Sequence, residues 1–138
     1  MLRLDTKRLY RLMDANMNRA REGLRVCEDV CRFLRGDKAA TARYKRLRHR
    51  LTAAAKALGL RDLIGARDVN SDIGRPTSAP ERRRGNAEDI YFANSQRVKE
   101  SVRVLEEVAK LVDRSLAERL KRVRYEVYAI EKDVAKRF

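Results

Sequence analysis

Apolar residues recur along the first third of the chain in steps of three and four, at Met13, Met17, Ala20, Leu24, Cys27, Cys31 and Leu34. The same spacing returns at Val98, Val102, Leu105, Ala109 and Val112. A period near 3.6 places each set on one face of an α-helix, turned toward a common core. Val26, Val30 and Phe33, and later Val104, Val108 and Leu111, form a second stripe on the far side of each helix. Helices buried on two faces leave room for a partner subunit, so a homo-oligomer, most simply a dimer, is expected.

Capping residues divide the chain. Asp5 and Asp37 precede the first two helices, Asn86 with Asp89 the third, and Ser115 with Glu118 reads as a capping box for the fourth. Gly36 and Gly59 supply stops. The predicted helices run over 6–35, 38–58, 87–112 and 116–136, with a short helical turn at 60–65. Residues 66–86 carry both prolines, Pro76 and Pro80, with Gly74 and Gly85, and read as a loop. Loops this long in a compact domain are functional or disordered. Ala66-Arg67-Asp68-x-x-x-Asp72-Ile73-Gly74 is too varied for a flexible spacer, which favours function.

The two halves repeat. Ala15-Asn16-x-x-Arg19-x-x-Glu22-x-x-Arg25-Val26-x-Glu28-Asp29-Val30 recurs as Ala93-Asn94-x-x-Arg97-x-x-Glu100-x-x-Arg103-Val104-x-Glu106-Glu107-Val108, at an offset of 78. Lys45-Arg46-Leu47-Arg48-His49-Arg50-Leu51 matches Lys121-Arg122-Val123-Arg124-Tyr125-Glu126-Val127 at an offset of 76. The expected architecture is all-α: a bundle of four long helices made from a duplicated two-helix hairpin, with copies at about 6–58 and 87–137 in one domain spanning 1–138.

Composition adds a charge problem. Aromatics are only 6% of the chain, in keeping with helix over sheet, while 34 Lys and Arg against 20 Asp and Glu give a net charge of +14. Such a surface calls for an anionic partner: nucleic acid, membrane phosphate or a small phosphorylated metabolite. No apolar run approaches the roughly 18 residues that span a bilayer, and a soluble, cytoplasmic protein without membrane partner is expected. Cys27 and Cys31 lie four apart on one helix, a poor match to disulfide geometry, and their repeat counterparts are Leu105 and Ala109, so they read as core. His49 is the single histidine. Phosphate-loop, dinucleotide, triad and zinc signatures are absent.

Arg19, Glu22, Arg25 and Glu28 resemble a surface ladder of ion pairs. Yet each step of three falls about 60° short of a full turn, so the row sweeps through about 180° and no single solvated face holds it. Glu28 lies beside Leu24, and Glu106 beside Val102, so each row approaches the apolar seam, where a charge needs a partner. Interlocking Arg and Glu would meet that need, and guanidinium forks also grip phosphate. Asp68 and Asp72, flanked by Arg67 and Arg75, have two readings: carboxylates that share Mg²⁺ with substrate phosphates, or caps of their own loop.

Leu9-Tyr10-Arg11-x-x-Asp14-Ala15-Asn16-x-Asn18-Arg19-x-x-Glu22-Gly23-Leu24-Arg25-Val26-x-Glu28-Asp29, followed by Arg32-Phe33, closely resembles the small helical hydroxymethylpyrimidine phosphate kinase family of thiamine biosynthesis. The resemblance continues through Leu47-Arg48-His49, Ala66-Arg67-Asp68, Asp72-Ile73-Gly74, Glu81, Arg84, Asp89, Ala93-Asn94, Arg97, Glu100, Arg103 and Glu106-Glu107. Val69 stands where the family usually has Thr, and Arg82-Arg83-Arg84 is unusually basic. In this family the domain often sits ahead of a thiamine phosphate synthase barrel; here a stand-alone domain is expected.

The resemblance implies a phosphomethylpyrimidine kinase that transfers the ATP γ-phosphoryl group to hydroxymethylpyrimidine phosphate with Mg²⁺. It implies that Arg19, Arg67 and Arg97 act on the transferred group. Asn16, Asn18, Glu22, Arg25, Asn94, Glu100 and Arg103 would bind substrate, and Asp68 and Asp72 the metal. A phosphate acceptor is already anionic, so positioning and positive charge would suffice without a strong base. Two other classes stand beside it: a basic helical nucleic-acid-binding protein, suggested by the tract from Arg43 to Arg50, and a non-catalytic partner module of thiamine phosphate synthase.

Overall fold

The computed structural model describes residues 5–77 and 83–138. Five α-helices follow in order among the described residues: α1 (Thr6–Asp29), α2 (Lys38–Leu58), the short α3 (Leu60–Gly65), α4 (Ala87–Ala109) and α5 (Arg114–Ala135). No strand occurs among the described residues. Helix α1 packs mainly on α4, α4 on α5, and α2 lies against both α1 and α5. Near one end of the α1–α4 contact the Cys27 thiol reaches the Tyr91 carbonyl at 3.6 Å, while a turn earlier on α1 Gly23 faces Asn94 and Val98, so the two helices run antiparallel.

Caps set the starts as the side chains dictate. Asp5 accepts from the Lys7 amide, Asp37 from Ala40 and Asn86 from Asp89, and the Asp89 carboxylate reaches back to the Gly85 amide. Gly36 and Gly59 have φ of 63° and 96°, the left-handed backbone that ends a helix cheaply only at glycine. The fourth long helix corrects the prediction. It begins at Arg114, because Asp113 caps the amides of Ser115 and Leu116; Ser115 lies inside the first turn.

The main stripes are the core. Met13, Met17, Ala20, Leu24, Cys27 and Cys31 meet Val98, Val102, Leu105 and Ala109, all buried, with Leu47, Leu51, Leu120, Val127 and Ile130 closing the other side. Both thiols are free, and burial pushes the Cys31 thiol up to about 11, so neither is a ready nucleophile. The stripes stop short of their predicted ends. After Asp29 the chain takes a five-residue π-turn, Val30–Leu34, whose wider winding breaks the three-four register. Phe33 and Leu34 are left 67% and 63% exposed. Helix α4 likewise ends at Ala109, so Leu111 and Val112, expected within it, lie in a turn and are exposed.

Gly23 sits at a close approach of α1 to α4. A Cβ there would sit 2.6 Å from Val98 Cγ2 and 3.0 Å from the Asn94 carbonyl oxygen. Gly23→Ala is therefore expected to destabilise the fold by about 1–3 kcal/mol through overpacking, despite alanine's better helix propensity, and urea unfolding followed by circular dichroism measures it.

Candidate functional site

Two carboxylates of the repeated rows end up inside the bundle. Glu28 and Glu106 are 2% and 3% exposed, on the seam side of α1 and α4. Arg48 of α2 grips Glu28 with two nitrogens at 2.5 and 3.1 Å, and Arg124 of α5 grips Glu106 in the same way at 2.6 and 3.1 Å. Arg25 and Arg103, three residues before each glutamate, add weaker contacts at 3.8 and 3.4 Å. The hydrogen bond and charge of Glu106, opposed by burial, hold the Arg124 guanidinium above its ordinary range. Each buried charge thus has a partner, but it is an arginine of the second helix of its own hairpin and not one from the other row, and the two pairs bind α1 to α2 and α4 to α5 instead of opening to solvent.

The cavity lies elsewhere, between the first half of α1 and the chain leaving α3. Leu63 and Ala66 are buried and turn the chain back toward α1. The next residue, Arg67, forks onto Asp14, with Nε to Oδ2 at 2.8 Å and Nη2 to Oδ1 at 2.9 Å. Arg11 donates to the Asp68 carbonyl at 2.9 Å. These two contacts hold the loop over α1 and enclose about 560 Å³. Arg8, Arg11, Asp14, Asn16, Asn18 and Arg19 form one wall, with Arg67 to Val69 and Ser71 to Ile73 opposite, and Leu12, Val69 and Ile73 give it apolar surface.

Of the predicted site residues, Asn16, Asn18, Arg19, Arg67, Asp68 and Asp72 line this cavity. Asn18 donates to Asp14 at 3.2 Å, and Arg19 is exposed at the cavity wall. Glu22 and Arg25 lie further along α1, exposed and outside the lining. The α4 set does not line it either. Asn94 binds the Ile90 carbonyl, Glu100 accepts from Gln96, Arg103 contacts Glu106 and Glu107, and Arg97 is exposed. One copy of the row and the loop make the cavity, because the loop folds onto α1 and, among the described residues, no second loop covers α4. Pro80, Glu81 and Arg82 lie outside the described residues.

The acidic pair orders its own loop. Asp68 accepts from the Ser71 amide at 3.1 Å and Asp72 from the Gly74 amide at 3.0 Å. Hydrogen bonds from the Ser71 side chain and amide hold Asp68 below the usual carboxylate range. Among the described residues no group of three or more His, Cys, Asp or Glu gathers to hold a metal, so a cation here would take most of its oxygens from a bound phosphate and water. His49 is exposed on α2.

Sequence reasoning passed over Asp14, which is 6% exposed. It is the loop's anchor, and a signal was there: the offset that pairs Asn16 with Asn94 pairs Asp14 with Phe92, so the charge belongs to one copy alone.

A family model matches residues 11–133, and its description reads ThiD2 family. The chain belongs to the ThiD2 family. Thiamine-phosphate synthase of Thermosynechococcus vestitus is 44% identical over 126 residues, covering 91% of this chain and 35% of that protein. The synthase of Synechocystis is 42% identical over 124 residues, with 89% and 35% covered, and that of Rhodopirellula baltica is 35% identical over 130 residues, with 94% and 35% covered. The chain therefore spans about 35% of the length of these curated relatives, which are proteins of thiamine biosynthesis. No solved structure matches. These ThiD2 relatives correct one expectation: they bear the name of a synthase, not of a phosphomethylpyrimidine kinase, and that enzyme assignment is withdrawn. No helix among the described residues is long and apolar enough to cross a membrane.

Proposed function

We propose that this chain serves thiamine biosynthesis as a helical companion module of a thiamine-phosphate synthase, and that the cavity between α1 and the 67–73 loop binds a phosphorylated pyrimidine for it. One observation carries the reading. Nearly the whole chain corresponds to about a third of proteins that bear the synthase name, as a module joined to or working beside the remainder would.

The cavity's chemistry supports a ligand of this class. Arg19 and Arg8 present charge to a phosphate, Asn18 has a second amide hydrogen for a ring heteroatom beside its bond to Asp14, buried Asn16 bonds the Leu12 carbonyl and shapes the wall, and Leu12 and Val69 give a flat ring apolar contact. Arg67 and Arg11 are engaged with Asp14 and the Asp68 carbonyl, so their part is to place the loop. Mg²⁺ would sit between ligand phosphate and Asp68 or Asp72, each of which has oxygen left to give.

Calorimetric titration with hydroxymethylpyrimidine phosphate tests this. Binding in the range of about 10–100 μM is expected, weakened about tenfold by Arg19→Ala. Added Mg²⁺ should tighten it, and a parallel titration with ATP asks whether the cavity prefers a nucleotide. No saturable heat, or affinity indifferent to Arg19→Ala, would remove the ligand from this cavity.

A further inference from the structure

Helices α2 and α5 share a second feature, which has no lining residue in common with the α1 cavity. In the register that matches Lys45–Leu51 with Lys121–Val127, Arg43 corresponds to Arg119, Arg50 to Glu126 and Ala57 to Asp133. At one end of the α2–α5 contact Arg43 is fully matched, with Glu126 at 3.0 Å and Asp133 at 2.7 Å. At the related position the register gives Arg119 an arginine, Arg50, and an alanine, Ala57, in place of the two acids, and Arg50 and Arg119 line one groove. An ion-pair cluster in one place has become an uncompensated cluster of like charge in the other.

The result is a groove of about 290 Å³ lined by Arg50, Ala53, Ala54, Arg119, Leu120, Arg122 and Val123, with no carboxylate. Arg50, Ala53 and Ala54 share one face of α2 at steps of three and four, as do Arg119, Arg122 and Val123 on α5. Ala54, Leu120 and Val123 are buried and make an apolar floor, and the small alanines keep the space open. None of the three arginines pairs with a carboxylate among the described residues. Arg43, Arg48 and Arg124 on the same helices all do.

We propose that this groove is a second anion site, for a small phosphate-bearing molecule such as a phosphate ester or pyrophosphate. Three guanidinium groups can hold several phosphate oxygens in forked pairs, the floor accepts a small apolar body, and binding removes the mutual repulsion of the arginines. The volume suits a ligand of that size, below the usual range for larger cofactors.

The test is a nitrogen-15 NMR titration of the full chain with inorganic pyrophosphate at about 0.15 M salt, where long-range attraction is screened. Saturable shifts are expected at Ala53, Ala54, Leu120 and Val123, with affinity falling about tenfold in Arg122→Ala. Ala53→Leu keeps every charge and alters an exposed position, so it should stay folded, fill the groove and weaken pyrophosphate by a similar factor. Absence of saturable shifts up to about 10 mM overturns the site. So does pyrophosphate binding that Ala53→Leu leaves intact, since the attraction would then be unshaped charge. A single-stranded oligonucleotide that binds wild type and Ala53→Leu alike, while pyrophosphate does not bind, would make this a nucleic-acid surface and overturn it too.

Discussion

Arg48→Ala is expected to lower the thermal unfolding midpoint by about 10 °C, corresponding to a loss of about 3 kcal/mol in a domain of this size. The reason is the carboxylate left behind. Glu28 is 2% exposed, and without Arg48 its nearest cation is the Arg25 guanidinium, 3.8 Å away on a mostly exposed side chain. A buried charge with its partner removed costs more than the pair gained when formed, because desolvation of the remaining ion is no longer offset. Replacing both residues by Leu and Met should therefore recover much of the loss. Arg124→Ala acts the same way on Glu106 but slightly less, because Arg103 stays within 3.4 Å. Thermal and urea unfolding of the two singles and the double replacement measure these differences. If Arg48→Ala unfolds like wild type, Glu28 has another route to solvent or charge.

Arg67→Ala is expected to cost less global stability than Arg48→Ala, because Asp14 lines the cavity and gains water once the loop lifts, yet weaken ligand binding in the α1 cavity roughly thirtyfold, equivalent to about 2 kcal/mol. Its side chain is 42% exposed, so the stability of the Asp14 pair is discounted by solvent, but the pair is one of two contacts fixing the loop wall. The loop makes few other contacts, and in the variant the Ser71 and Gly74 amides should exchange with solvent at near-unfolded rates while the core of α4 stays protected. Hydrogen exchange with mass spectrometry reads both. Asp14→Asn should give a milder version, since one hydrogen-bonding oxygen remains. Equal loss of protection in α4 would instead make Asp14–Arg67 a general structural pair.

How far these features were legible depended on which physics is local. The long helices could be read because three-four spacing and side-chain caps are written within a few residues, as Asp5, Asp37 and Asn86 show. Their ends were less so: Asp113 displaced Ser115 as a cap, and the π-turn after Asp29 moved Phe33 and Leu34 out of the core. Helical geometry alone required that Glu28 and Glu106 find partners, but which arginines answered was a matter of how α2 and α5 pack. The site was half legible. Asn16, Arg19 and Asp68 share one cavity, while the loop covers one copy and leaves Arg97 and Arg103 outside, an asymmetry that only Asp14, with Phe92 as its counterpart, marked in the repeat. Asp14 was hidden because a carboxylate one residue from Met13 reads as a polar flank until Arg67 arrives from 53 residues away.

The most direct test of the companion role is the rate of a thiamine-phosphate synthase from the same organism at limiting phosphorylated pyrimidine, with and without this chain. The expected result is a rate that rises with added chain, saturates, and loses the increase with Arg19→Ala or Arg67→Ala. A synthase rate unchanged by stoichiometric wild-type chain would contradict the account.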